Sequence, residues 1–112
     1  MKTIEVLKND NSHSEVKACV NRDCPGLAAH RALEVGSDWA ITHVASGLGV
    51  VTTLADKATA LKALATLGRA GIDWLADRRT IENWPGIIRV VRAVRDTGRL
   101  PDEKKQLNLF AA

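Results

Sequence analysis

Aromatic residues are scarce in this chain: three Trp, one Phe and no Tyr among 112 residues. A core must therefore be filled mainly by Val, Leu, Ile and Ala. No apolar run approaches the roughly 18–20 residues needed to cross a membrane, and Met1–Glu5 lacks the apolar stretch of a signal peptide. Both absences lead us to expect a cytoplasmic protein. Cysteine is limited to Cys19 and Cys24, and the three histidines (His13, His30, His43) form no pair at zinc-finger spacing. The two thiols are expected to be free in a reducing compartment, with no metal bound. Also missing are a Gly-rich phosphate loop, His-Glu-x-x-His, Gly-x-Ser-x-Gly, and any helix-turn-helix or RNA-recognition signature. No cofactor, small-molecule substrate or catalytic residue is expected, and the chain is not expected to be an enzyme.

What is present is an ordinary globular balance, 46% hydrophobic and 26% charged, in one domain's length. Charge is unevenly placed. Residues 1–56 carry five basic and seven acidic side chains, whereas residues 57–112 carry eleven and six. The second half is therefore the cationic one, which suits an anionic partner, nucleic acid first among them.

The first half has the two-residue period of strands. Thr3–Lys8 and Glu15–Val20 flank a turn at residues 9–12. Leu27–Val35, Trp39–Ser46 and Leu48–Leu54 predict a meander, with Leu27, Ala29, Leu33 and Val35 on one side of the first, Arg31 excepted, and Trp39, Ile41, His43 and Ala45 sharing a face of the second. Leu48, Val50 and Leu54 are taken as in phase. Asp38, His43 and Ser46 invite thoughts of hydrolysis, but residues 43 and 46 of a continuous strand point to opposite faces.

The second half changes period. Asp56 is a natural N-cap for a helix from Lys57 to about Gly68 or Ala70, with Ala58, Leu61, Leu64 and Ala65 as its apolar stripe. A short helical turn is expected over Ile72–Arg79; its Asp73 and Asp77 read as surface charges rather than metal ligands. A last helix is expected to be capped by Asn83, to hold Pro85 in its first turn and to stop at Gly98. Ile87, Val90, Val91 and Val94 lie within about 100° of arc, while Arg89, Arg92 and Arg95 lie nearly opposite. With Arg78, Arg79 and Arg99 around them, these residues are candidate phosphate contacts, since a guanidinium matches phosphate geometry. A plain solvated helix face accounts for the same spacing. The expected fold class is α+β: an antiparallel sheet of three to five strands packed against two longer helices and a short third. Residues 1–98 would form the domain, and residues 99–112 a solvated linker and tail.

That tail reads Gln106-Leu107-Asn108-Leu109-Phe110, behind the charged stretch Pro101-Asp102-Glu103-Lys104-Lys105. It resembles the motif with which bacterial replication and repair proteins bind the DNA sliding clamp, roughly Gln-Leu-Ser/Asp-Leu-Phe. Four positions agree, and Asn108 replaces the usual Ser or Asp with another small polar residue. A five-residue match of this kind arises by chance in a chain this size on the order of once in several thousand. The resemblance implies that Leu109 and Phe110 enter a hydrophobic cleft on the clamp, that Gln106 hydrogen-bonds in a smaller polar subsite, and that Leu107 packs between them. Burial of two or three apolar side chains favours binding and ordering of the peptide opposes it, so the contact is expected to be of micromolar class, suited to a protein that visits a hub and leaves.

These residues together suggest a non-catalytic protein that docks on the clamp through its tail, approaches DNA with its Arg-bearing helix, and modulates or is recruited to replication and repair. A small phage- or plasmid-encoded inhibitor of host replication fits the same description. The linker from Arg99 to Lys105 spans roughly 20–25 Å when extended. Three other readings fit: a tail docked on its own domain, a nucleic-acid-binding module with a structural tail, and a protein–protein inhibitor or adaptor acting on a host defence system. In the last of these, Trp39, Trp74 or Trp84 would be the anchors if exposed.

Overall fold

The computed structural model describes residues 2–8, 10–32 and 38–101. Five strands run in chain order: β1 (Lys2–Leu7), β2 (His13–Val20), β3 (Leu27–Arg31), β4 (Trp39–His43) and β5 (Gly49–Leu54). Every pairing is antiparallel between sequence neighbours, so the sheet is a simple meander. Three helices follow: α1 (Lys57–Gly68), α2 (Arg78–Glu82) and α3 (Ile87–Thr97). The protein is thus α+β, with an antiparallel sheet, two longer helices and a short one. No helix among the described residues is long and apolar enough to cross a membrane.

The helices cover one face. Leu27, Ala29, Ile41, Val51 and Leu54 from the sheet meet Ala60, Ala63, Leu64 and Leu67 of α1, Ile81 of α2 and Val94 of α3, all buried. Asp56 caps α1 as expected, its carboxylate accepting from the Thr59 N–H at 2.8 Å. Accepting that donor holds its pKa below the usual carboxylate range. The α1 stripe differs from the expected one. Ala58 and Leu61 face solvent, and Ala60, Ala63, Thr66 and Leu67 are buried. Small and polar residues on the inner side hid the true stripe from an apolar count. Thr66 sits inside because its hydroxyl donates to the Lys62 carbonyl at 2.9 Å, one turn back.

The opposite face of β3 and β4 is buried too, because β2 is shared between two pairings. Its first six residues pair with β1, while Cys19 and Val20 pair with β3. The β1–β2 hairpin thereby folds across the face away from the helices. Ile4, Val6 and Ala18 pack on Ala28 to form a second, smaller core. The tip of β1 reaches the β4–β5 turn, where the Leu7 N–H donates to the Gly47 carbonyl at 2.8 Å. On this face the buried His30 has both ring nitrogens engaged: Nδ1 with the Arg31 carbonyl and Nε2 with the Thr42 hydroxyl, each at 2.7 Å.

In β5, Val51 and Leu54 are buried and Val50 is half-buried, so the alternating phase expected for Leu48, Val50 and Leu54 does not hold. The register explains it. Trp39 faces Leu54, Ile41 faces Val51 and Thr42 faces Gly49, so extra residues bulge out of β5. Thr53, with φ +62°, marks one of these irregularities. The loop 72–77 lies tightly on residues 24–27. A Cβ on Gly26 would fall 2.2 Å from the Trp74 carbonyl oxygen, and Gly26 has φ +99°, so glycine is required there on both counts. Trp74 itself is core, 2% exposed, its indole N–H donating to the Leu67 carbonyl at 3.0 Å.

Candidate functional site

The short helix expected over residues 72–79 begins only at Arg78, because Asp77 is its N-cap and accepts from the Thr80 N–H at 2.8 Å. That bond, with the Thr80 side chain, holds the Asp77 carboxyl below its ordinary pKa. Asn83 does not cap α3. It closes α2, its side-chain amide donating to the Arg79 carbonyl at 2.8 Å. The chain then turns at Trp84–Pro85, and α3 starts after Gly86, whose φ of +76° reverses the backbone. Pro85 and Gly86 thus separate two helices that each carry exposed arginines.

The six candidate arginines are split by this geometry. Arg78, Arg92 and Arg95 border one cleft between α2, α3 and the β4–β5 connection. Arg89 and Arg92 border a shallower groove beside Trp84. Arg79 and Arg99 are exposed and border neither. Carboxylates interrupt the positive surface. Arg78 Nε lies 2.7 Å from Glu82, and Arg95 Nε lies 2.9 Å from Asp96. The Arg95 guanidinium holds the Asp96 carboxyl below its usual range. Both pairs are solvent-exposed, so they contribute little to stability and exchange readily for other anions.

The cleft has a volume of about 480 Å³. Val50, Trp74, Ile81, Ile87 and Val91 give it an apolar floor, and Ile88, 65% exposed, stands at its mouth. The inner side of α3 is as expected: Val94 is buried, and Ile87, Val90 and Val91 pack on the main core. Ile88 was the overlooked signal, since it interrupts an otherwise polar outer side of α3. The partners that complete the cleft come from α2, just before α3, and from β5, distant in sequence.

His43 and Ser46, expected to point apart, meet at one end of the cleft. The strand ends at His43, and the turn over residues 44–46 brings the Ser46 hydroxyl to 2.7 Å from Nδ1. His43 Nε2 lies 2.9 Å from the Ala76 carbonyl. A carbonyl only accepts, so Nε2 donates and the Ser46 hydroxyl serves Nδ1. Ser46 Oγ also accepts from the Leu48 N–H at 3.2 Å. Both ring nitrogens and the hydroxyl are engaged, and His43 is 3% exposed. The pair ties the β4–β5 turn to the 72–77 loop.

Asp73 and Asp77 both serve the backbone, Asp73 accepting from the Leu75 N–H at 3.1 Å. No cluster of three or more metal-ligating side chains occurs among the described residues. Cys19 and Cys24 are free thiols. Burial pushes Cys24 up to about 11, so it stays protonated at neutral pH and is a poor nucleophile. Gln106, Leu107, Asn108, Leu109 and Phe110 lie outside the described residues. Comparison of the chain with protein-family models, with curated proteins and with solved structures gave no match.

Proposed function

We propose that this protein is a non-catalytic binding protein that docks on the bacterial DNA sliding clamp through Gln106–Phe110, and so modulates or is recruited to replication and repair. The observation that carries this reading is the pentapeptide itself, Gln-Leu-Asn-Leu-Phe. Its position supports the reading: Leu100 still packs against the main core, and the motif begins six residues further along. The engagement of both His43 ring nitrogens and the Ser46 hydroxyl favours a structural role for this Ser–His contact. The test is a binding titration against a bacterial clamp, comparing wild type with Leu109→Ala/Phe110→Ala. Micromolar binding lost in the double variant supports the proposal, and equal retention of both chains removes it. A polymerase assay with added clamp then separates the two modes. Inhibition by the isolated 106–110 peptide indicates competition for the clamp pocket, and stimulation that needs the whole chain indicates recruitment.

A second reading is favoured by the convergence of Arg78, Arg92 and Arg95 on one cleft rim. In it, the α2–α3 side contacts nucleic acid, alone or beside the clamp. It predicts salt-sensitive binding that weakens when Arg89, Arg92 and Arg95 are replaced and that ignores Phe110→Ala.

A further inference from the structure

The α2–α3 cleft has an apolar floor of Val50, Ile81, Ile87 and Val91 and a volume of about 480 Å³, within the range of small-molecule sites. The polar side chains at one end of it, His43 and Ser46, are engaged with each other, with the Ala76 carbonyl and with the Leu48 N–H. A ligand body lying here meets side chains that are apolar or already bonded, so that body must itself be apolar.

The charges around the cleft nearly cancel. Arg78, Glu82, Arg92 and Arg95 line it, while Arg89 borders only the adjoining groove. Arg78 is paired with Glu82, and Arg95 with Asp96. Asp96 also feels Arg92 electrostatically, less than it feels Arg95. Three guanidiniums against two carboxylates leave one positive charge. It rests mainly at Arg92, which has no hydrogen bond or ion pair with a described residue. One surplus cation beside an apolar floor selects a ligand with one negative charge and an apolar body. A polyanion would be poorly neutralised, and a neutral apolar molecule would gain nothing from Arg92. A carboxylate matches the fork of a guanidinium.

We propose that the cleft binds a small amphipathic monoanion, a free medium-chain alkyl carboxylate, with its chain on the Val50, Ile87 and Val91 floor and its carboxylate on Arg92. The pairs Arg78–Glu82 and Arg95–Asp96 stay in place. Ile88, 65% exposed at the mouth, loses water when the chain lies against it, which adds to binding. The site depends on neither the clamp reading nor the nucleic-acid reading.

The test is a methyl NMR titration of the full chain with decanoate, kept below its micelle-forming concentration. Saturable shifts confined to Val50, Ile81, Ile87, Ile88 and Val91 are expected. Arg92→Gln should weaken decanoate binding about 5–10-fold, and Ile88→Glu, which sets a like charge at the mouth, at least as much. Lys17→Gln, which removes an exposed cation from the β1–β2 hairpin, should change it less than about 2-fold. Arg92 and Ile88 are exposed, so both variants should fold, with unchanged methyl shifts in the two cores as the check. Decyltrimethylammonium, with a similar chain and the opposite charge, should leave the cleft methyls unmoved. Non-saturating shifts, shifts spread through both cores, equal binding of the ammonium, or full retention in Arg92→Gln each overturn the proposal. Cleft shifts that follow protein concentration without ligand overturn it in favour of a second copy. Shifts caused by a single-stranded oligonucleotide but not by decanoate overturn it in favour of nucleic acid.

Discussion

On one face of the sheet, Leu27, Ala29, Ile41 and Val51 meet buried residues from all three helices. On the other, Ala28 meets Ile4, Val6 and Ala18 from a hairpin folded back over it. The first core has Leu64, Leu67, Trp74 and Val94 to fill it; the second has nothing larger than Ile4. Apolar burial is the main stabilising term in folding and scales with the area removed from water. The helical side should therefore carry most of the global stability, with the hairpin as a region that opens first. The two are joined at one seam, the turn 44–47. There Ser46 holds His43 under the 72–77 loop, and Gly47 accepts from Leu7 of the hairpin.

The largest expected effect comes from breaking the first core. Leu67→Ala removes a side chain with no exposed surface, and should cost about 2–5 kcal/mol of unfolding free energy in denaturant titration. A loss below that of Val6→Ala in the hairpin would invert the comparison. At the seam, Ser46→Ala leaves the buried His43 Nδ1 without its partner, an expected loss of about 1–3 kcal/mol. The hairpin variant Val6→Ala should cost about 1–2 kcal/mol. Hydrogen exchange should show amides of β1 and β2 opening well before Ile41 and Leu67 in wild type. Uniform protection across both cores would mean they unfold as one unit.

The smallest effect sharpens the helical side alone. Asp56 and Asp77 cap α1 and α2, and both have pKa values depressed by the N–H bonds they accept. Their contribution is present above the unfolded carboxylate pKa, about 3.9, and is lost as pH falls through the lower folded values. Asp56→Asn/Asp77→Asn keeps an oxygen acceptor without the titration, so its stability should fall less steeply below pH about 4. Equal acid slopes would show that these caps do not govern the acid limb.

Local signals in the chain were the readable ones. Strand alternation gave the meander, Asp56 marked the start of α1, and Gly98 with φ +72° marked the end of α3. Readings that depended on distant partners went astray. The α1 stripe was misplaced because Ala60, Ala63 and Thr66 are buried with Leu64 and Leu67, whereas Leu61 is exposed. The bulges in β5 changed which residues face inward, and the early end of β4 let Ser46 reach His43. Asn83 was assigned to the wrong helix because Trp84-Pro85-Gly86 form a turn rather than a first helical turn. The cleft was invisible because it is assembled from β5, α2 and α3, whereas Arg92 and Arg95 on its rim were legible from the α3 period alone.

The most direct check of the central claim is the affinity of a bacterial sliding clamp for this chain, measured with and without the Leu109 and Phe110 side chains. The account predicts micromolar binding that disappears in Leu109→Ala/Phe110→Ala. A clamp that binds neither chain, or both alike, contradicts it.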